Sequence, residues 1–289
     1  MIGQFASLLL GPFETFGFMR IALVACLALA LANGPIGILL LMRRESVDGN
    51  VLSHAVMPGA ALGFLYAGYS LAVLTLGGLL TGLGVAGLAA ATVRSNSQRQ
   101  DSSLIAFYLV SLSVGVMIVA TRGSQADLMH VLFGTVLAVD VKSLVLIAGI
   151  SSLTILVVAA LYRPLAVESF DPAFLRAVGG GGGVFRGIFV TLVVLNLVAS
   201  FQAFGTLLAL GPMLLPAVAA RCWTNKVWPM IALATLIGMV ASFAGLLISY
   251  YANLPSGPGI VMGAGVIYGI SLLSAGPMRR GHNKLGVPG

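Results

Sequence analysis

The sequence predicts an all-α fold, a polytopic transmembrane helical bundle, and three observations predict it. Hydrophobic residues make up 59% of the 289 residues and charged ones only 8%, against about 25% charged in ordinary soluble domains, and the mean hydropathy is +1.06. The apolar residues fall in runs close to the roughly 20 that a helix needs to cross a hydrocarbon core. Glycine is abundant, at 37 residues, as expected where helices pack through small side chains because lipid supplies no hydrophobic drive between them. A helical bundle follows, and a β-barrel does not.

In chain order the runs cover 18–42, 51–67, 71–93, 103–120, 143–161, 187–200, 207–220, 228–250 and 259–275. Judged against bilayer thickness, they predict about nine crossings. The two short runs between 187 and 220 read as helices turning near "SFQAFG". One kinked helix plus a re-entrant piece also fits there, and a count of eight is the alternative. The whole chain, 1–289, then forms a single transmembrane domain with a short N-terminal segment, 1–17, and a C-terminal tail, 276–289. No cleavable signal peptide is expected, because "GPFETFG" breaks the first apolar run and the next is long enough to span and stay.

Lys and Arg prefer cytoplasmic loops, so each loop tests the sidedness. With an odd count, Arg43 and Arg44, Arg94 and Arg99, then Arg163, Arg176 and Arg186, then Arg221 and Lys226, and finally Arg279, Arg280 and Lys284 share one side. The opposite connections "YAGYS" and "YYANLPSGPG" carry no charge. The C-terminus is therefore expected in the cytoplasm and the N-terminus outside. Arg122 and Lys142 are outer exceptions, accompanied by Asp127 and Asp140. The net charge of +7 thus marks topology and not a nucleic-acid surface. Between 120 and 143 the apolar residues are too few to span, and a short helix dipping into the outer face is the natural reading. Partial helices at membrane depth need protein or a wet cavity around them, so this dip is expected to line a pathway.

Few residues could carry chemistry. In "DGNVLSHAVMPGAALGF" an imidazole, His54, stands within a buried run, with Asn50 one helical turn earlier on the same face. Ionisable groups inside a membrane are costly and tend to face a bundle interior or a wet cavity. The pair can point an amide oxygen and a ring nitrogen at one cation, or His54 can simply hydrogen-bond to Asn50 or Ser53 as glue between helices. Pro58 removes a backbone hydrogen bond nearby, which predicts a locally loosened helix. Asp171 followed by Pro172 starts a short helix, and Gly179 to Gly183 end it. That glycine run lacks the Lys and Ser or Thr of a phosphate-binding loop, so the chain itself should not bind ATP.

His130 lies in the outer dip, where it could meet an entering cation or merely sit at the interface, and His282 belongs to a solvated tail. Neither stands at metal-ligand spacing from His54. Cys26 and Cys222 are too few for a disulfide or cysteine-metal framework, and Cys26 reads as packing. Arg20 can snorkel to the outer interface, with Glu14 as a partner. No nucleophile stands with a base and an orienting acid, so the chain is not expected to be an enzyme.

Six blocks in order resemble the permease subunits of zinc, manganese and iron ABC importers, the ABC-3 family. They are "RRESVDGNVLSHAVMPGAALGFLYAG", "DSSLIAFYLVSLSVGVMIV", "LMHVLFGTVLAVD", "SFDPAFLRAVG", "FQAFGTLLALGPMLLPAVAAR" and "LPSGPGIVMGAGVIYGISLL". The resemblance implies a type II ABC importer permease in a bacterial cytoplasmic (inner) membrane, with no cofactor of its own. It implies a homodimer, two cytoplasmic ATPase subunits and an extracytoplasmic metal-binding solute-binding protein. It also implies that the short helix with Asp171, Pro172, Phe174, Leu175 and Arg176 couples to an ATPase, and that His54 belongs to the metal path. The family carries an acidic residue four positions before that histidine, where this chain has Asn50. Either Asp48, about 160° away round an ideal helix, takes over after a local distortion, or the path binds its ion more weakly, which is the favoured option. Transport tolerates weak binding, since an ion must leave as readily as it enters. One imidazole and one amide lean faintly to zinc over manganese or iron. The alternative is a gradient-driven secondary transporter or ion channel, which calls for acidic relays and inverted repeats that the sequence does not display.

Overall fold

A computed structural model describes residues 10–43, 53–67, 70–93, 110–111, 113–118, 134–170 and 182–282. Among the described residues the regular structure is entirely helical. In chain order the main helices are α1 (Gly17–Met42), α2 (Met57–Ala67), α3 (Leu71–Val93), α4 (Val141–Ala160), α5 (Tyr162–Phe170), α6 (Gly182–Leu208), α7 (Gly211–Trp223), α8 (Val227–Ala252) and α9 (Ser256–His282). Six of them, α1, α3, α4, α6, α8 and α9, are long and apolar enough to cross a membrane.

Most expected runs lie on these helices, but the stretch from 187 to 220 divides unequally. The chain forms one long helix, α6, interrupted at Gly205 (φ 75°, ψ 172°), followed by the 13-residue α7. Without a Cβ, Gly205 can leave the helical region where other residues would be strained. "SFQAF" contains no such residue, so the helix continues through it. Pro212 then sits in the first turn of α7, where its missing N–H costs nothing. Of the two readings of 187–220, the kinked helix is the one the chain adopts, with the short α7 after it in place of two separate short spans. The expected outer dip is, in its described part, a single 3-10 turn over Val136–Ala138. Glu14 and Arg20 are both exposed with no ion pair joining them.

α1 is the axis of the bundle, with 67% of its span buried against 11% for α3. It packs on α4, α7 and α8, and two glycines one turn apart explain how. A Cβ at Gly34 would collide with Thr235 Oγ1 of α8, and one at Gly37 with the Met213 carbonyl of α7. Since lipid tails are as apolar as leucine, this contact depends on backbone proximity and dispersion. Cys26 is buried and unpaired in the core beside Met19, Leu29 and Phe204, a packing role as expected. Hydrogen bonds pin α6 to α1 and α4: Asn33 Nδ2 donates to Ser200 Oγ at 3.2 Å, and Asn196 Nδ2 to Thr154 Oγ1 at 2.8 Å. Each such bond contributes about 0.6 kcal/mol in a membrane interior.

Arg43 ends α1, and the structure gives it more than a topological role. Its guanidinium pairs with the Glu168 carboxylate, the two side chains being 4% and 5% exposed. Its Nε donates to Ser169 Oγ at 3.0 Å, and its Cζ lies 3.9 Å from the Phe189 ring centroid. One side chain therefore ties the end of α1 to α5 and to the start of α6.

Two predictions follow from this packing. Gly59→Ala on α2 drives a methyl into the Gly77 carbonyl of α3, whereas Gly149→Ala meets open space. Thermal unfolding of the purified protein should show the first destabilised by about 1–3 kcal/mol and the second unchanged. Glu168→Gln strips the buried guanidinium of its carboxylate and should cost about 3–5 kcal/mol, while the double change Arg43→Met with Glu168→Leu should recover most of it.

Candidate cation path

His54 lies in a helical turn, 53–55, that is interrupted at Val56 before α2 begins. The cause is Pro58, which has no N–H to offer the His54 carbonyl. The next carbonyl but one is held from two sides: Val56 O accepts from Ala60 N at 3.2 Å and from Thr81 Oγ1 of α3 at 3.4 Å. The loosened helix expected from the sequence is therefore present. Protein encloses it, as membrane depth requires. Val56 packs with Val194 and Val198 of α6 and Ile36 of α1. A Cβ at Gly115 would lie 2.9 Å from Met57 Cγ and 3.2 Å from Pro58 N. The imidazole itself is 6% exposed, with Ser53 beside it at 4%.

Of the other residues that the sequence singles out, Asn50, Asp48 and His130 lie outside the described residues. So do Asp171, Pro172, Phe174, Leu175 and Arg176 of the expected coupling helix. That segment is bracketed by α5, which carries Glu168, and by α6, which carries Phe189. Among the described residues no three His, Cys, Asp or Glu side chains gather into a group that could hold a metal ion. A cation at His54 would have to draw on amide, hydroxyl or water oxygens as well as the one imidazole.

The ends of the bundle sort by charge. At one end Arg43, Glu168, Arg186 and Arg221 line a cavity of about 490 Å³. Three loops that the charge pattern assigns to a single side thus meet there. At the other end a cavity of about 760 Å³ lies among Ser70, Thr135, Asp140, Lys142 and Gln202. Arg186 and Gln202 both belong to α6, 16 positions apart, which at 1.5 Å per residue places the two ends about 24 Å apart. Sequence reasoning singles out neither Glu168 nor Gln202 as functional. Glu168 meets Arg43 across 125 positions, a pairing that leaves no local spacing to find. Gln202 sits within "SFQAFG", three residues before the helix break that would have marked it.

The ABC 3 transport family matches residues 15–275. The manganese import system permease protein ScaB of Streptococcus parasanguinis is 31% identical over 94% of this chain and 96% of its own. The manganese transport system membrane protein MntC of Halalkalibacterium halodurans is 29% identical over 89% and 87%. Among solved structures, PsaBC from Streptococcus pneumoniae in complex with Fab superposes with a TM-score of 0.83 at 28% identity, covering 94% of this chain and 95% of that one. A metal-chelate type ABC transporter in an inward-facing conformation shares the fold, with a TM-score of 0.69 at 13% identity over 88% and 85%. The likeness runs through both helix breaks and both ends of the bundle, and the chain belongs to the ABC 3 transport family.

Proposed function

We propose that this chain is the membrane-spanning permease subunit of an ATP-driven importer that carries a divalent metal ion, with manganese as the cargo. The observation that carries the reading is a buried histidine inside a helix break, in a chain similar to manganese permeases along nearly its whole length. The same relatives turn the choice of metal. One imidazole leans to zinc, but the similar proteins bear manganese in their names, and the oxygen ligands that a cation would need beside a single His suit the harder ion. In this reading two copies form the path, two cytoplasmic ATPases supply the energy and an extracytoplasmic binding protein delivers the ion. His54 and Asn50 are the contacts within the membrane, and Asp48 and His130 are weaker candidates. The helix from Asp171, with Pro172, Phe174, Leu175 and Arg176, docks into the ATPase, so that Arg43 and Glu168 brace its base on α5. Membership of an ABC family favours this over a gradient-driven transporter or channel.

Asn50 supplies a carbonyl dipole where a carboxylate would supply a full charge, so the ion passes without being held. Uptake of radioactive manganese into proteoliposomes containing the permease, its ATPase and its binding protein tests the pair. His54→Ala should lower uptake by about tenfold or more. Asn50→Asp should keep uptake while tightening Mn²⁺ binding by about tenfold. Unchanged behaviour in both variants would remove the pair from the path.

A further inference from the structure

We propose that the cavity among Ser70, Thr135, Asp140 and Gln202 is an oxygen-lined capture site, which holds a hydrated divalent cation at the outer end of the bundle before it reaches His54. The proposal rests on the importer reading and on the charge pattern that places Asp140 outside. Its volume, about 760 Å³, accommodates an ion with its full water shell.

Two side chains bring negative charge or oxygen lone pairs to this space, and a helix end stands three residues beyond one of them. Asp140 is the N-cap of α4, its Oδ1 accepting from Ser143 N at 2.8 Å, and it stands in the lining of the cavity. The hydrogen bonds from Ser143, with Lys142 nearby, hold this carboxyl below its ordinary range, so it is charged at neutral pH. Gln202 contributes an amide oxygen, and the bonding around it fixes which way the amide points. Thr75 Oγ1 lies 2.6 Å from the Leu71 carbonyl, to which it must donate its only proton. At 3.1 Å from Gln202 Nε2 it can therefore only accept, so Gln202 presents its N–H to Thr75 and keeps its oxygen, half-exposed, for the cavity.

The third feature is the break in α6. Gly134 (φ 59°) and Gly205 (φ 75°) meet backbone to backbone. A Cβ at Gly134 would collide with Gly205 N and lie 2.9 Å from Ala203 O. The first half of α6 therefore ends three residues beyond Gln202, and the terminal carbonyls of a helix carry partial negative charge that favours cations. Lys142 opposes these terms from the same cavity. One carboxylate, one amide and hydroxyls are too few to strip a cation of its water. The site therefore selects charge over identity and releases its ion readily.

The test is Mn²⁺ binding by the full-length chain with its ATPase in lipid nanodiscs, read from the electron paramagnetic resonance signal of free Mn²⁺. All variants carry His54→Ala, so that only the outer site reports. Asp140→Asn is the decisive change, because Asn caps a helix as well as Asp and only the charge is lost. It should weaken binding by about threefold to tenfold, with the effect shrinking at high salt, and Lys142→Gln should strengthen it by a similar factor. Equal affinity with and without Asp140→Asn would overturn the proposal, as would a Lys142→Gln change in the opposite sense. Failure of the importer reading is recognised separately, by wild-type complexes that move no metal when ATP is supplied.

Discussion

A membrane interior offers the backbone no water, so each break in a helix must be enclosed by protein or open to a wet cavity. This chain breaks its ladder in two described places. At Val56, ahead of Pro58, the Val56 carbonyl accepts from both Ala60 and Thr81, and the turn packs against α1, α3 and α6. At Gly205 the backbone of Gly134 packs directly against it. Both breaks stand next to polar side chains, His54 at the first and Gln202 at the second. The cost of interrupting a helix in lipid is accepted where something other than lipid must be contacted.

The remainder of the bundle keeps those breaks in position. Gly34 and Gly37 bring α1 against α8 and α7, and the Asn33–Ser200 and Asn196–Thr154 bonds set the rotation of α6 against α1 and α4. At the far end of α6, Arg43 joins α1 to α5 through Glu168 and lies on the ring of Phe189. A displacement of α5 would thus be felt at the end of α1 and at the start of α6, the helix whose other end carries Gln202 and Gly205. This is a mechanical link between the face where an ATPase would act and the face where an ion would enter.

Much of the fold was legible because hydropathy reads the membrane directly. The run 71–93 coincides with α3, and 228–250 lies within Val227–Ala252. The pattern is blind where a helix outlasts the lipid, as α9 does in continuing to His282, whereas the break at Gly205 falls in "SFQAFG", where the sequence places a turn. His54 stood out because an imidazole in an apolar run has to be explained, and Pro58 beside it explained the loosened turn. Arg43 was legible as a marker of sidedness, but not as half of a buried pair, since Glu168 is distant in sequence and has no motif around it. Gln202 needed the threonine that orients it, which only the folded chain brings near.

The central claim is that this bundle passes a metal ion only when partner ATPases drive it. The most direct measurement is ATP hydrolysis by the reconstituted permease–ATPase complex, with the binding protein added either metal-loaded or empty. The account predicts that the manganese-loaded binding protein stimulates hydrolysis and that manganese accumulates in the vesicles in step with it. Hydrolysis indifferent to the loaded protein, or manganese entry that continues without the ATPase, would contradict it.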